Sequence, residues 1–167
     1  MDERRARHEL ELYLLRHSDA GDPASWSGDD DVRPLSEKGR RQAEALGEFL
    51  AARDFGIDAI LSSPKLRALE TAELVATALA MRVTLEPRLA RSLDLDRLGD
   101  ILDATPGHRA MIVGHDPDFS ELAAALSGAS YLPLKKGALA RLDVSLPLQP
   151  AGGILRWLLP PGLLATR

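Results

Sequence analysis

Leu10-Glu11-Leu12-Tyr13-Leu14-Leu15-Arg16-His17-Ser18-Asp19 is the stretch that decides the fold of this chain. Its mainly apolar first half reads as a short buried strand, and a basic pair stands where that strand ends. In an open α/β sheet, ligands bind outside the carboxyl ends of the strands. A histidine at that edge serves as nucleophile, base or metal ligand. The arginine beside it, permanently charged and fork-shaped, argues for a phosphate over a metal cation.

Working outward, the pattern alternates short apolar runs with amphipathic segments. A loop rich in Asp, Gly, Pro and Ser covers 18–35 and carries the acidic run Gly28-Asp29-Asp30-Asp31. Ser36 is a good N-cap for a helix over about 37–54, with Ala43, Leu46, Phe49 and Leu50 on its apolar face. Ile57–Leu61 reads as a second strand. Ser63-Pro64 then opens a helix as N-cap and first residue, with Leu66, Leu69, Ala72, Ala76 and Leu79 as its apolar face. Arg82–Leu85 is a third strand, followed by a helix near 94–104. Ala110–Val113 is a fourth strand, ending at Gly114-His115. Asp116-Pro117 repeats the cap signal before a helix carrying Phe119, Leu122, Ala123 and Leu126. Late strands fall at Ala138–Val144 and Ile154–Leu158, with a loose tail from Pro160. This alternation predicts an α/β fold, a mainly parallel sheet of about six strands with helices on both faces.

Bulk properties narrow the function classes. The 167 residues suit one domain, with a core over about 10–158 and loose ends. A charged fraction of 28% and a hydrophobic fraction of 45% are globular values. The net charge of −4, with no basic stripe, argues against nucleic acid as a partner. There is no cysteine, hence no disulfide, thiolate nucleophile or sulfur-bound metal. No segment reaches the roughly 18 unbroken apolar residues of a membrane span, and none reads as a signal peptide, so the expected location is the cytoplasm.

Three strand-to-helix junctions bring basic side chains to one sheet edge: Arg16 and His17 after the first strand, Arg67 after the second, His115 after the fourth. Helix N-termini add partial positive charge there. A dianionic phosphate is the ligand such an edge selects. Ser62 and Ser63 read as structural, His8 and His108 as surface residues, and Lys135 and Lys136 as solvated.

Leu15-Arg16-His17-Ser18-Asp19-Ala20, Arg33-Pro34-Leu35-Ser36-Glu37-Lys38-Gly39, Ser62-Ser63-Pro64-Lys65-Leu66-Arg67-Ala68, Thr71-Ala72 and Val113-Gly114-His115-Asp116-Pro117 together resemble the histidine phosphatase superfamily, above all its compact SixA-type phosphohistidine phosphatases. The resemblance covers roughly 10–145. It implies a three-layer α/β/α sandwich of the phosphoglycerate mutase-like kind. By the same resemblance His17 is the nucleophile that becomes phosphorylated, Arg16 and Arg67 clamp the phosphate, and His115 is the second histidine of the pocket. Ser18, also counted among the substrate-binding residues, replaces the glycine usual after Arg-His.

The chemistry is consistent with that set. A neutral imidazole attacks phosphorus in line, and cations stabilise the equatorial oxygens. Neighbouring guanidinium groups keep His17 neutral, while a protonated His115 would add positive charge. No step calls for a metal or cofactor, and two arginines would repel a cation. Larger relatives supply a glutamic acid after the third strand; here Arg91 or Ser92 holds that position, Glu86 comes early, and Asp94, Asp96 or Asp19 are the substitutes. A phosphoramidate depends less on such an acid than an ester does. The reading is therefore a phosphatase acting on phosphohistidine of a partner protein, with a phosphocarrier or phosphotransfer protein as substrate. The alternatives are a small-molecule phosphomonoesterase and a silent phosphate-binding module. The loop over 19–35, with Trp26 and its aspartates, borders the entrance.

Overall fold

The alternation of Leu12, Leu14 with Tyr13, Leu15 leaves no polar side for water, and the strand they form is accordingly the interior one. In the computed structural model, which describes residues 9–164, β1 (Glu9–Arg16) has its central residues at 0% exposure. It is followed by α1 (Glu37–Arg53), β2 (Ala59–Ser62), α2 (Leu66–Ala78), β3 (Val83–Leu85), α3 (Leu95–Asp103), β4 (Arg109–Gly114), α4 (Asp118–Ser127), β5 (Leu139–Ser145) and β6 (Ile154–Leu159). One six-stranded sheet has the order β3-β2-β4-β1-β5-β6. The four strands β3, β2, β4 and β1 pair in parallel; β5 runs antiparallel to β1, and β6 antiparallel to β5. The expected α/β architecture with a mostly parallel six-stranded sheet is the one observed.

The sheet separates two cores. Tyr13, Leu15, Ile60, Met111 and Val113 pack on Leu46 and Leu50 of α1 and Ala68, Ala72 and Val75 of α2. On the opposite face Leu12, Leu14, Ala110, Ile112 and Leu142 pack on Leu98 and Ile101 of α3 and Phe119, Leu122 and Leu126 of α4. Strand residues alternate between the two faces, which is why a run apolar throughout is needed at the centre of a three-layer fold.

Two of the three helix starts expected from a capping residue depart from expectation. Ser36 does cap α1, accepting from the Gly39 N–H at 3.1 Å. Ser63 and Pro64 do not open α2. The helix begins at Leu66 with Lys65 in the cap position and no side-chain cap, because the Ser63 hydroxyl also pairs with His115. Likewise α4 begins at Asp118, while the Asp116 carboxylate reaches the Ser120 N–H and also Arg16. The buried stripe of α2 is Arg67, Ala68, Thr71, Ala72, Val75 and Ala76. It is rotated from the expected one, in which Leu66 and Leu69 were inward, and the rotation turns Arg67 into the protein. The tail expected to be loose from Pro160 instead forms a 3-10 turn at Pro161–Leu163, and Leu164 packs against the α1/α2 core. His8 lies outside the described residues.

Candidate active site

Register sets the site. Arg16 stands opposite Gly114 across the β1/β4 ladder, and Ser62 opposite Val113 across β2/β4. The ladder runs one residue further at both joints, with His17 N–H donating to Gly114 O at 2.9 Å and Ser63 N–H to Val113 O at 3.0 Å. His17, Ser63 and His115 therefore leave the sheet side by side at its carboxyl edge. The His17 and His115 ring centroids are 5.4 Å apart.

His17 is 6% exposed. Its Nδ1 lies 2.8 Å from Ser18 O. A carbonyl only accepts, so Nδ1 carries the hydrogen and the Nε2 lone pair is left free. Burial lowers the His17 pKa to about 4, and Arg67, Arg16 and Lys136 lower it in the same direction. The ring is thus neutral and nucleophilic at physiological pH. Ser18 is buried, and its N–H donates to Thr71 Oγ1 at 3.0 Å, while that hydroxyl donates to Arg67 O. This links the loop after β1 to α2 at the residue that follows the nucleophile candidate. Beneath it, Gly137, at φ +80°, donates its N–H to the carbonyls of Arg16 and His17. A Cβ there would press on Ser18 Oγ and on Gln42.

Each arginine is held at one edge. Arg16 Nη1 donates to Leu134 O at 2.7 Å and pairs with Asp116 Oδ2 at 3.2 Å. Arg67 Nη1 donates to Asp30 O at 2.8 Å, and its Nη2 lies 3.2 Å from Asp30 Oδ2. The Nε atoms of both are buried without a partner, as is Nδ1 of His115, whose Nε2 pairs with Ser63 Oγ at 2.8 Å. Among the described residues one further buried side-chain nitrogen lacks a partner, Arg141 Nε, on β5. Buried donors are nearly always satisfied, so the two guanidinium Nε–H orphans, with the unpartnered His115 nitrogen, mark a place for acceptor oxygens.

His115 differs from expectation. Burial, reinforced by His17, Arg67 and Lys65, lowers its pKa to about 3. It is therefore a neutral donor or acceptor and not a cation. Lys136, expected to be solvated, is half-buried 3.7 Å from Asp19, and its charge is felt at His17. Arg33 received no role from the sequence; it is 6% exposed, with Nε donating to Asp30 Oδ1 at 2.8 Å and Nη1 to Ala20 O at 2.7 Å. Ser63, read as structural, is the partner of His115. It stands three residues before the α2 helix start, and no signal in the sequence separates it from a capping serine.

The substitute acids are all engaged or remote. Asp19 accepts from Ser36 Oγ, which holds its carboxyl below the usual range. Glu86 is held low by the Arg88 guanidinium, to which it makes two hydrogen bonds. Asp94 caps α3 through the Arg97 N–H, and Asp96 lines a groove beside Leu146–Gln149. Arg91 and Ser92 are exposed. Among the described residues no group of three or more His, Cys, Asp or Glu side chains is arranged to hold a metal ion.

Residues 12–92 match the histidine phosphatase superfamily, branch 1. An uncharacterized protein of Picosynechococcus sp. is 34% identical over 143 residues, covering 80% of this chain and 84% of that protein. The probable phosphoglycerate mutase GpmB of Cronobacter sakazakii is 32% identical over 119 residues; the match covers 65% of this chain but 52% of that protein, about half its length. In fold the chain is similar to the protein histidine phosphatase SixA complexed with tungstate, with TM-score 0.80 and 24% identity over 93% of this chain and 100% of that one. It is also similar to the alpha-ribazole phosphatase from Shigella flexneri, with TM-score 0.69 and 20% identity over 91% and 97%.

Proposed function

This chain belongs to the histidine phosphatase superfamily, and we propose that it is a phosphatase that removes the phosphoryl group from phosphohistidine on a partner protein, through a phosphohistidine formed on its own His17. The observation that carries this reading is the two buried, unpartnered Nε–H groups of Arg16 and Arg67, with the unpartnered Nδ1 of His115, beside a histidine whose Nε2 is free. In the reaction, His17 Nε2 attacks phosphorus as the P–N bond to the substrate imidazole breaks in line with it. The substrate ring takes its proton from solvent and leaves neutral. Water then attacks the phosphorus on His17, the P–Nε2 bond breaks, and inorganic phosphate departs with the water's oxygen. The side-on edges of Arg16 and Arg67 follow the three equatorial oxygens through both steps, the group on which charge spreads. The tungstate in the SixA structure, a tetrahedral oxyanion, agrees with such a pocket in this fold.

Two features support an amide-like phosphorus–nitrogen bond over an ester. Asp19 and Glu86 are held ionised, and Arg91 and Ser92 offer no proton donor suited to an alkoxide. An imidazole leaves readily once protonated and needs no such donor. The likeness to a probable phosphoglycerate mutase supports a second reading, a small-molecule phosphomonoesterase, in which Asp94 or Asp96 would have to swing into the site. Comparing kcat/KM for a phosphohistidine peptide and for an alkyl phosphate ester separates the two. Faster cleavage of the peptide is expected; faster cleavage of the ester overturns the first reading. Acid-labile phosphate trapped on the native protein and absent from His17→Ala distinguishes both from a pocket that only binds. No helix among the described residues is long and apolar enough to cross a membrane, and a cytoplasmic phosphoprotein is the substrate class this reading takes.

A further inference from the structure

The acidic run at Asp29–Asp31 lies outside the motifs that carry the family resemblance, yet it makes the most direct contacts to Arg67. Residues 21–32 are exposed throughout and contain two 3-10 turns, Pro23–Ser25 and Asp30–Val32. The second turn is fastened at several points. Asp29 caps it through the Asp31 N–H, and Trp26 Nε1 donates to Asp29 O at 3.0 Å. Asp31 Oδ1 lies 3.4 Å from Lys65 Nζ. Asp30 does most: one carboxylate oxygen accepts from Arg33 Nε, the other faces Arg67 Nη2, and its backbone carbonyl accepts from Arg67 Nη1.

A guanidinium has two edges on which it can meet a pair of oxygens, the Nη1/Nη2 end and the Nε/Nη2 side. Asp30 takes the first with its carbonyl and carboxylate. The second is left with the Nε that has no partner. We propose that Asp30 is a positioning residue, gripping Arg67 by its outer edge so that the inner Nε edge is presented to a phosphoryl group. The proposal rests on the reading of Arg67 as a phosphate ligand. Arg16 is held in the same manner, its Nη1 fixed by Leu134 O and Asp116 and its Nε unpartnered. A buried guanidinium also needs a counter-charge when the pocket is empty, since an unpaired buried charge is costly. Asp30 supplies it from the solvent side: its side chain is 52% exposed, against 8% for Arg67. The carboxylate thus keeps Arg67 charged, folded inward and aimed before any ligand arrives.

The opposite function is a plug, a carboxylate sitting where phosphate should sit and competing with it. The two predict opposite signs. The test follows the Arg67 Nε–H resonance in 1H–15N spectra while inorganic phosphate is titrated into the whole protein. In the unsubstituted protein this resonance moves with phosphate. In Asp30→Asn it shifts already in the phosphate-free protein, toward the averaged signal of a mobile arginine, and phosphate binds about tenfold more weakly, as expected for loss of one charge-assisted contact. Asp31→Asn removes the same charge from the same turn but touches Lys65, and changes phosphate affinity by no more than about twofold, as a screened surface pair does. Tighter or unchanged phosphate binding in Asp30→Asn overturns the proposal, as does equal weakening in both variants. An Arg67 Nε that ignores phosphate in the unsubstituted protein overturns the phosphate site itself. Because the readout is binding and not turnover, the identity of the phosphorylated substrate does not enter it.

Discussion

The His17 ring shows how one hydrogen bond and a few neighbours set a reactivity. The Ser18 carbonyl fixes the hydrogen on Nδ1, and burial with nearby cations keeps Nε2 unprotonated. Arg67→Lys preserves charge but not shape. A lysine ammonium cannot bond both Asp30 and a phosphoryl oxygen pair in one plane, so kcat/KM should fall by about 100-fold, the scale of losing one charged, two-point contact in a transition state. If the loss is under threefold, the planar edge is not what the site uses. Gly39 makes a different single-residue case. A Cβ at that position would run into the Asp19 carbonyl, where the loop after β1 crosses the first turn of α1. Gly39→Ala should therefore lower the urea-unfolding free energy by about 1–3 kcal/mol, the usual cost of forcing atoms into packed space. It should also weaken phosphate binding, because Asp19 is two residues from His17.

At the level of elements, α1 is fixed to the site by its cap. Ser36 Oγ accepts from the Gly39 N–H and donates to the Asp19 carboxylate, while the Ser36 N–H donates to Asp19 O. Ser36→Ala should cost about 1–2 kcal/mol in chemical denaturation, at the upper end for a helix cap because a second contact goes with it. A cost near zero would mean that the contacts left to Asp19, from the Ser36 and Gly21 N–H groups, Gln42 and Lys136, suffice to hold it. This cap was readable from Ser36 and the apolar spacing that follows. So were β1 and β4, which are buried on both faces and need no partner to declare themselves. Ser63-Pro64 and Asp116-Pro117 carry the same local signal as Ser36, and both misled. Ser63 turns to His115, and Asp116, while one of its oxygens accepts from the Ser120 N–H of α4, turns the other to Arg16; no local rule can see a partner about fifty or a hundred residues away. The same limit hid the Arg67–Asp30 pair, 37 residues apart: the acidic run reads as a solvated loop until the fold sets it against buried guanidinium groups. The rotation of α2 follows from this too, since apolar periodicity alone does not foresee a helix that buries an arginine.

Across the whole molecule, the site charges the fold a pH-dependent cost, and its sign is fixed by the direction of the histidine shifts. In the unfolded chain an imidazole titrates near 6.5; in the folded protein burial lowers His17 to about 4 and His115 to about 3. Between those limits the unfolded chain binds more protons than the folded one, so the unfolding free energy falls as pH falls. Stability is therefore full above about 6.5 and is lost progressively on acidification, by on the order of 3 kcal/mol for His17 alone. The depressed carboxylates, Asp19 and Glu86 among them, act in the same direction but only lower down. Their contribution is complete above the ordinary carboxylate range and starts to go only as pH falls through it. The interval from pH 6.5 to about 4.5 thus belongs to the two site histidines. A bound phosphate dianion beside them favours the protonated rings, brings their folded values back toward the unfolded one, and so removes most of the slope. Urea unfolding followed at several pH values should show the midpoint falling from pH 7 to 5 without phosphate. With saturating phosphate, or in a His17→Asn, His115→Asn double variant, it should stay nearly level. The same slope under all three conditions would place the acid sensitivity in other groups and would disconnect the buried pair of rings from the stability of the sheet edge that holds them.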